Sequence, residues 1–205
     1  MTAQVGDSIL IHDRAYDVCG IHGGPLFEPE SLGLVPIPPH SACWRGHVDQ
    51  YRIFRRRLVL ERLHVWLGGS SAEPNGRGAS QRGPAINGAA PQVTPITDDM
   101  SENFYDALRL ELPFTGGILA GRGFFRDLYV HMGFPPAWKF KQVYEAIFER
   151  GRLKELRDVS PQMADIRARM LERPLKPDLR DARSGELTAW IASTFRLDYD
   201  WDSWM

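Results

Sequence analysis

The feature that most restricts this chain is a run of alternating residues broken once by three consecutive arginines. Cys43-Trp-Arg-Gly-His-Val-Asp-Gln-Tyr-Arg-Ile-Phe precedes Arg55, Arg56 and Arg57, and Leu58-Val-Leu-Glu-Arg-Leu-His-Val-Trp-Leu follows them. β-Formers on both sides of a short charged turn predict a long antiparallel hairpin. A strand sends successive side chains to opposite faces. Trp44, Gly46 and Val48 are therefore expected on one face and Arg45, His47 and Asp49 on the other. One packed and one polar face fits an antiparallel sheet covered on a single side. The arginine triplet reads as a solvated turn and not as a phosphate site, because short charge runs mark exposed surface.

Punctuation by glycine and proline divides the rest of the first half. Ser8-Ile-Leu-Ile-His and Ala15-Tyr-Asp-Val-Cys flank a polar Asp13-Arg14 turn and predict a second hairpin. Residues 20–42 hold so many glycines and prolines that an ordered, irregular loop is expected. From Gly68 to Ile96 there are six glycines, four prolines and no aromatic residue. A segment of that kind buries too little apolar surface to offset its ordering entropy. Residues 68–97 are thus expected to be a flexible insertion, and loop closure costs little enough for 1–205 to remain one domain around it.

In the second half, Leu108, Leu110 and Leu112 alternate with Arg109 and Glu111 as in a half-buried strand ending at Pro113. The glycines of Thr115-Gly-Gly-Ile-Leu-Ala-Gly-Arg-Gly suggest a turn or bulged strand. Residues 139–157 fit a helix ending at Gly151 or a hairpin turning at Glu149-Arg-Gly, and the hairpin is the preferred reading. Ser160-Pro161 starts a helix, with the hydroxyl expected as its cap and Met163, Ile166, Met170 and Leu171 as its apolar stripe. A last helix from about Gly185 carries Leu187, Trp190, Ile191 and Phe195. Strands come early and helices late, which predicts an α+β fold. The expected architecture is an antiparallel β-rich sheet or partly open barrel built of hairpins, with C-terminal helices packed on it.

Composition narrows the function classes. A chain of 205 residues with 43% hydrophobic content and 11% aromatics can build a core. Its 25 basic and 26 acidic residues nearly cancel to −1, which speaks against a nucleic-acid binder, since phosphate neutralisation needs a basic face. The N-terminal residues lack the basic and apolar regions of a signal peptide, and no stretch is apolar for long enough to span a bilayer. Cys19 and Cys43 are expected to be reduced, because a core of this size needs no staple, and a cytoplasmic setting follows.

Three segments, Ala42-Cys-Trp-Arg-Gly-His, Pro113-Phe-Thr-Gly-Gly and Tyr129-Val-His-Met-Gly-Phe, stand in that order. They resemble a scattered group of uncharacterised bacterial proteins that carry a Cys-Trp-Arg-Gly-Tyr strand, a Thr-Gly or Ser-Gly turn and a Tyr-Val-His-Met-Gly segment. The resemblance covers most of the chain outside residues 68–96 and implies no activity. His47 stands where those proteins carry an aromatic residue, which argues against a special role for it.

Candidate chemistry is sparse. His40, Cys43 and His47, with His22 upstream, form the densest ligand cluster, but no spacing matches a zinc shell, so neither metal nor cofactor is expected. Cys43 and His47 lie too far apart on one predicted strand to act as nucleophile and base. The glycines around Arg122 lack the endings of phosphate-binding loops. His131, among apolar neighbours, reads as a satisfied core histidine. At the C-terminus Asp198, Asp200 and Asp202 alternate with Tyr199, Trp201 and Trp204, a pattern suited either to a basic protein partner or to docking on the core. The leading expectation is a non-enzymatic protein that binds another protein, for instance as an immunity- or antitoxin-like partner. The alternative is a small-molecule-binding protein or enzyme with a pocket between the sheet and loop 20–42, using Arg45, Thr115 and His131.

Overall fold

Three hairpins turn through residues held in the left-handed region, where two-residue turns match the twist of antiparallel strands. The structure, a computed structural model, describes residues 2–68, 81–172 and 184–201. β1 (Ser8–Ile11) and β2 (Arg14–His22) join through His12 and Asp13, with φ of 49° and 60°. β3 (His47–Phe54) and β4 (Arg57–Gly68) join through Arg55 and Arg56 at 49° and 61°, so the arginines do form an exposed turn. β9 (Phe140–Glu149) and β10 (Arg152–Asp158) repeat the device at Arg150 and Gly151, and residues 139–157 are the hairpin that the sequence favours.

With β5 (Gln92–Thr97), β6 (Met100–Tyr105), β7 (Leu110–Glu111) and β8 (Gly116–Phe124), these strands form one mixed, mostly antiparallel sheet. Its order is β10-β9-β8-β2-β1-β3-β4-β6-β5, with β7 beside β4. The sheet is partly closed: β10 returns to β4 at the pair Arg152 and Arg57, flanked by bonds from the Leu58 amide to the Gly151 carbonyl and from the Leu153 amide to that of Arg56. β1 and β3 are the one parallel pair, which needs the long connection through β2 and residues 23–46. Two helices, α1 (Ser160–Leu171) and α2 (Ser184–Thr194), complete an α+β architecture.

Closure gives the sheet an inner and an outer core. Ile9, Tyr16, Val18, Leu58, Ile118, Ala120 and Phe148 point inward and pack together. On the outer side of β2, β8 and β9, Cys19, Leu119 and Val143 meet Leu128, Trp138 and the Met163 and Ile166 side chains of α1. β8 is buried on both faces, which is why Gly117-Ile-Leu-Ala-Gly shows no alternation in sequence.

Several expectations change. Cys43 to Gly46 is a turn and not a strand, closed by the Gly46 amide on the Cys43 carbonyl at 3.2 Å. Gly46 has φ of 70° and lies with the Ile37 carbonyl 2.7 Å from where a Cβ would stand, so only glycine suits that turn. The turn reverses the expected faces. His47, Asp49 and Tyr51 point inward and Trp44 is half exposed, because the buried polar groups satisfy one another. The strand expected over Leu108–Leu112 shrinks to β7, since Ala107 and Arg109 take φ of 52° and 46°, although Leu108 and Leu112 are buried as the alternation implies. From residue 81 onward the expected insertion carries structure: the Gly83 amide donates to Asn103 Oδ1, the Tyr105 hydroxyl donates to the Pro84 carbonyl, and β5 pairs with β6. Residues 69–80 of that segment lie outside the described residues. Ser160 does not cap α1; its hydroxyl accepts from the Val143 amide, and Asp158 accepts from the Ser160 amide. Leu171 is exposed, leaving Met163, Ile166 and Met170 as the stripe.

Candidate functional site

Between β8 and β9 the sequence Phe134-Pro-Pro-Ala-Trp-Lys-Phe fixes its own path, because two prolines restrict φ and exclude helix. The chain instead makes one 3-10 turn over Ala137–Lys139 and enters β9. The Lys139 amide bonds the Pro136 carbonyl at 3.0 Å, and the Lys139 carbonyl accepts from the Phe125 amide at 2.9 Å. From α1, Arg167 donates one Nη1 to the carbonyls of Trp138 at 2.9 Å and Phe140 at 3.1 Å, with its guanidinium 4.5 Å from the Phe125 ring centre. The backbone on both sides of Lys139 is thereby held.

The side chain it presents is unusual. Lys139 is 6% exposed, yet its amine has no hydrogen bond and no ion pair among the described residues. Its polar neighbour is the Trp138 ring, with Nζ 5.2 Å from the centroid. Buried lysines ordinarily carry a carboxylate partner, since desolvating an ammonium is costly. Burial accordingly lowers the pKa of the amine from the ordinary lysine range.

Lys139 lines two adjoining cavities. One, of about 290 Å³, has Trp138, Trp190, Thr194, Arg196 and Asp198 in its wall. The other, of about 310 Å³, has Gln4, Asp17, Phe124, Tyr129 and Phe140. Val130, Met132, Phe134, Pro135 and Lys139 are common to both. The walls are tied by the Gln4 amide to the Gly133 carbonyl at 2.8 Å and by the Phe134 amide to the Thr194 carbonyl at 2.7 Å. Cys19 also lines the first cavity, but its thiol donates to the Leu119 carbonyl at 3.4 Å and burial pushes its pKa far up, so it is no nucleophile. Lys139 is the one lysine in the walls of these two cavities, and its amine has no ion-pair partner among the described residues.

No family model, curated protein or solved structure matches this chain. The function is therefore argued from the site itself.

The residues singled out from sequence fall around this site unevenly. Arg45 pairs with Asp7 through both nitrogens, at 2.9 and 2.7 Å, and its guanidinium stands 5.8 Å from the centre of the Phe134 ring, so it backs the cavity wall. His131 is exposed, with Nδ1 2.8 Å from the hydroxyl of Tyr129, which corrects its reading as a core histidine: Val130 and Met132 face the cavity and the alternation turns His131 outward. Thr115 lies at the start of β8, where its Oγ1 accepts from the Arg150 amide at 2.9 Å. A cavity of about 430 Å³ does lie between residues 21–25 and the tail, lined by Gly23, Gly24, Asp198 and Tyr199 among others, and none of Arg45, Thr115 and His131 borders it.

The tail docks on β9. Tyr199 is buried, and its hydroxyl donates to Glu145 Oε1 at 2.7 Å; Trp201 Nε1 donates to the same oxygen at 2.9 Å, while Arg157 Nε holds Oε2 at 2.6 Å. Burial, with Glu145 alongside, pushes the Tyr199 phenol well above its usual pKa. Asp198 and Asp200 are exposed. Asp202 and Trp204 lie outside the described residues.

A second polar concentration lies inside the sheet. Asp49 accepts from the Tyr51 hydroxyl at 2.8 Å and meets His47 Nδ1 at 3.1 Å, while its amide donates to Asp7 at 2.9 Å. Burial, with Asp7 beside it, holds the Asp49 carboxyl above the usual carboxylate range. The Cys43 thiol, raised by burial, points to the His47 carbonyl at 3.6 Å. Among the described residues no three His, Cys, Asp or Glu side chains converge to hold a metal. No described helix is long and apolar enough to cross a membrane. Sequence reasoning missed Lys139. The signal was there in one of only four lysines among 25 basic residues, set between Trp138 and Phe140 just after two prolines.

Proposed function

We propose that this chain binds a small, largely apolar organic molecule carrying one polar group, held where the two cavities meet at Lys139. The observation that supports this reading is Lys139, 6% exposed and without a carboxylate partner among the described residues, at the junction of cavities of about 290 and 310 Å³. Small-molecule sites are mostly apolar with a few placed polar groups, and a group left unsatisfied in the free protein is what such a site offers. In this reading the C-terminal helices pack on the sheet as the cover of the site: α1 fixes Lys139 through Arg167, and the end of α2 contributes Thr194. Cytoplasmic action fits, with both free thiols buried. The test is a thermal-shift and tryptophan-fluorescence screen with aromatic and medium-chain alcohols, aldehydes and acids. A saturable response that Lys139→Met and Phe134→Ala both weaken is expected. A hit that binds these variants as tightly as the parent, or a screen without any hit, removes the reading.

One observation favours the protein-binding alternative, an immunity- or antitoxin-like role. Trp44, 50% exposed, stacks on Phe195 with centroids 4.8 Å apart and planes 3° from parallel, which is the kind of aromatic anchor that partners cover. Capture of a stoichiometric protein from the native cell, lost in Trp44→Ala, would put this role first.

A further inference from the structure

The 310 Å³ side of the Lys139 site suits a neutral polar group and not an anion. An anion site needs converging donors. Here Gln4 Nε2 donates to the Ser41 carbonyl, Tyr129 is bonded to His131, and Asp17 in the same wall would repel a carboxylate or phosphate. What remains on that side is a primary amine among Phe124, Tyr129, Phe134 and Phe140 with Asp17 in the same wall, while Arg196 and Asp198 belong to the other cavity. A lysine amine with no ion-pair partner beside a cavity is a group able to add to an electrophilic carbon once it gives up its proton.

We propose that Lys139 captures an aldehyde or ketone with an apolar body as a reversible imine. This rests on the reading of the cavities as a ligand site and names the ligand's polar group. The Nζ lone pair adds to the carbonyl carbon and the carbonyl oxygen takes up a proton, giving a carbinolamine. Loss of that hydroxyl as water, with a second proton leaving the nitrogen, forms the C=N bond; hydrolysis reverses every step, and nothing is oxidised or reduced. Asp17, the one carboxylate in the wall of the 310 Å³ cavity, carries the proton to the departing hydroxyl, and partial desolvation holds its carboxyl above the ordinary range. Trp138 and Trp190 give the event an optical signal, since both border the adjoining cavity.

The experiment incubates the full chain with cinnamaldehyde near pH 7 in the presence of cyanoborohydride and maps the reduced adducts by peptide mass. Lys139, Lys141, Lys154 and Lys176 compete within one molecule, so no variant is needed for the comparison. Each unit by which an amine's pKa falls raises its neutral fraction about tenfold at neutral pH. Lys139, beside both cavities and with its amine's pKa lowered by burial, should therefore carry the dominant early adduct among the four lysines. Lys139→Arg should abolish the fast adduct, and Asp17→Asn should slow it without moving it to another lysine. In parallel, cinnamyl alcohol, which has no carbonyl, is titrated against tryptophan emission. Saturable binding of the alcohol with equal labelling of all four lysines would overturn the imine and leave the ligand site standing. Absence of both saturable binding and selective labelling would overturn the two together.

Discussion

Replacing Lys139 by methionine should stabilise the protein while destroying its site. A largely buried donor without a partner costs about 1–3 kcal/mol. The Trp138 ring, 5.2 Å from Nζ, returns about 0.5–1 kcal/mol of that as a cation–π contact. Methionine keeps an unbranched stem of similar length, so the packing term is small. The difference leaves the variant ahead by about 1 kcal/mol, or about 2–4 °C in Tm for a chain of this length. The pH dependence follows from the direction of the shift. The folded pKa is lowered, so below it both folded and unfolded chains carry the proton and the cost is fully present. Between the folded pKa and the ordinary lysine value of about 10.4 only the unfolded chain is protonated, and the parent gains stability as the pH rises. The advantage of Lys139→Met should thus shrink across that window and vanish above it. Calorimetric melts of both proteins from neutral to strongly alkaline pH read this out. A variant that melts below the parent at neutral pH, or a difference that ignores pH, would refute the reasoning.

Two further outcomes follow from packing. In Gly117→Ala the new methyl would collide with the Tyr199 hydroxyl, so the tail should leave Glu145, with a red shift of tryptophan emission and a loss of about 2–3 kcal/mol; unchanged emission would show that Tyr199 does not sit there. Asp7→Ala leaves Arg45 without its bidentate partner; because the Arg45 side chain is 35% exposed and partly solvated, the expected cost is about 2 kcal/mol and not the full value of a buried pair, and a Tm within about 2 °C of the parent would contradict the pairing.

The hairpins were legible because their signal is local: alternation on both sides of a two-residue turn, as at Arg55 and Arg56. The faces of β3 were not, since Cys43–Gly46 continues the alternation in sequence while Gly46 turns the chain in space. The inward Asp49 and His47 look like surface residues until Tyr51 and Asp7 are brought beside them by a register that joins residues far apart in sequence. β8 was only half readable, because a strand buried on both faces loses its period. The site was hidden for a related reason. A lysine is read as surface by default, and what distinguishes Lys139 is the lack of a partner, a property of its surroundings that spacing does not encode.

The pairing of β2 with β8 has a consequence for how the chain is made. Its hairpins can form as soon as their two strands exist, but β2 waits for a partner about a hundred residues later, and the sheet does not close until Arg152 reaches Arg57. Contacts of such long sequence separation make folding slow. The 290 Å³ cavity beside Lys139 draws its walls from Cys19 near one end of the chain and from Trp190 to Asp198 near the other. During synthesis the 290 Å³ cavity is therefore completed last, and a chain that stops short of the tail lacks that wall while the 310 Å³ cavity, lined within residues 3–140, keeps its own.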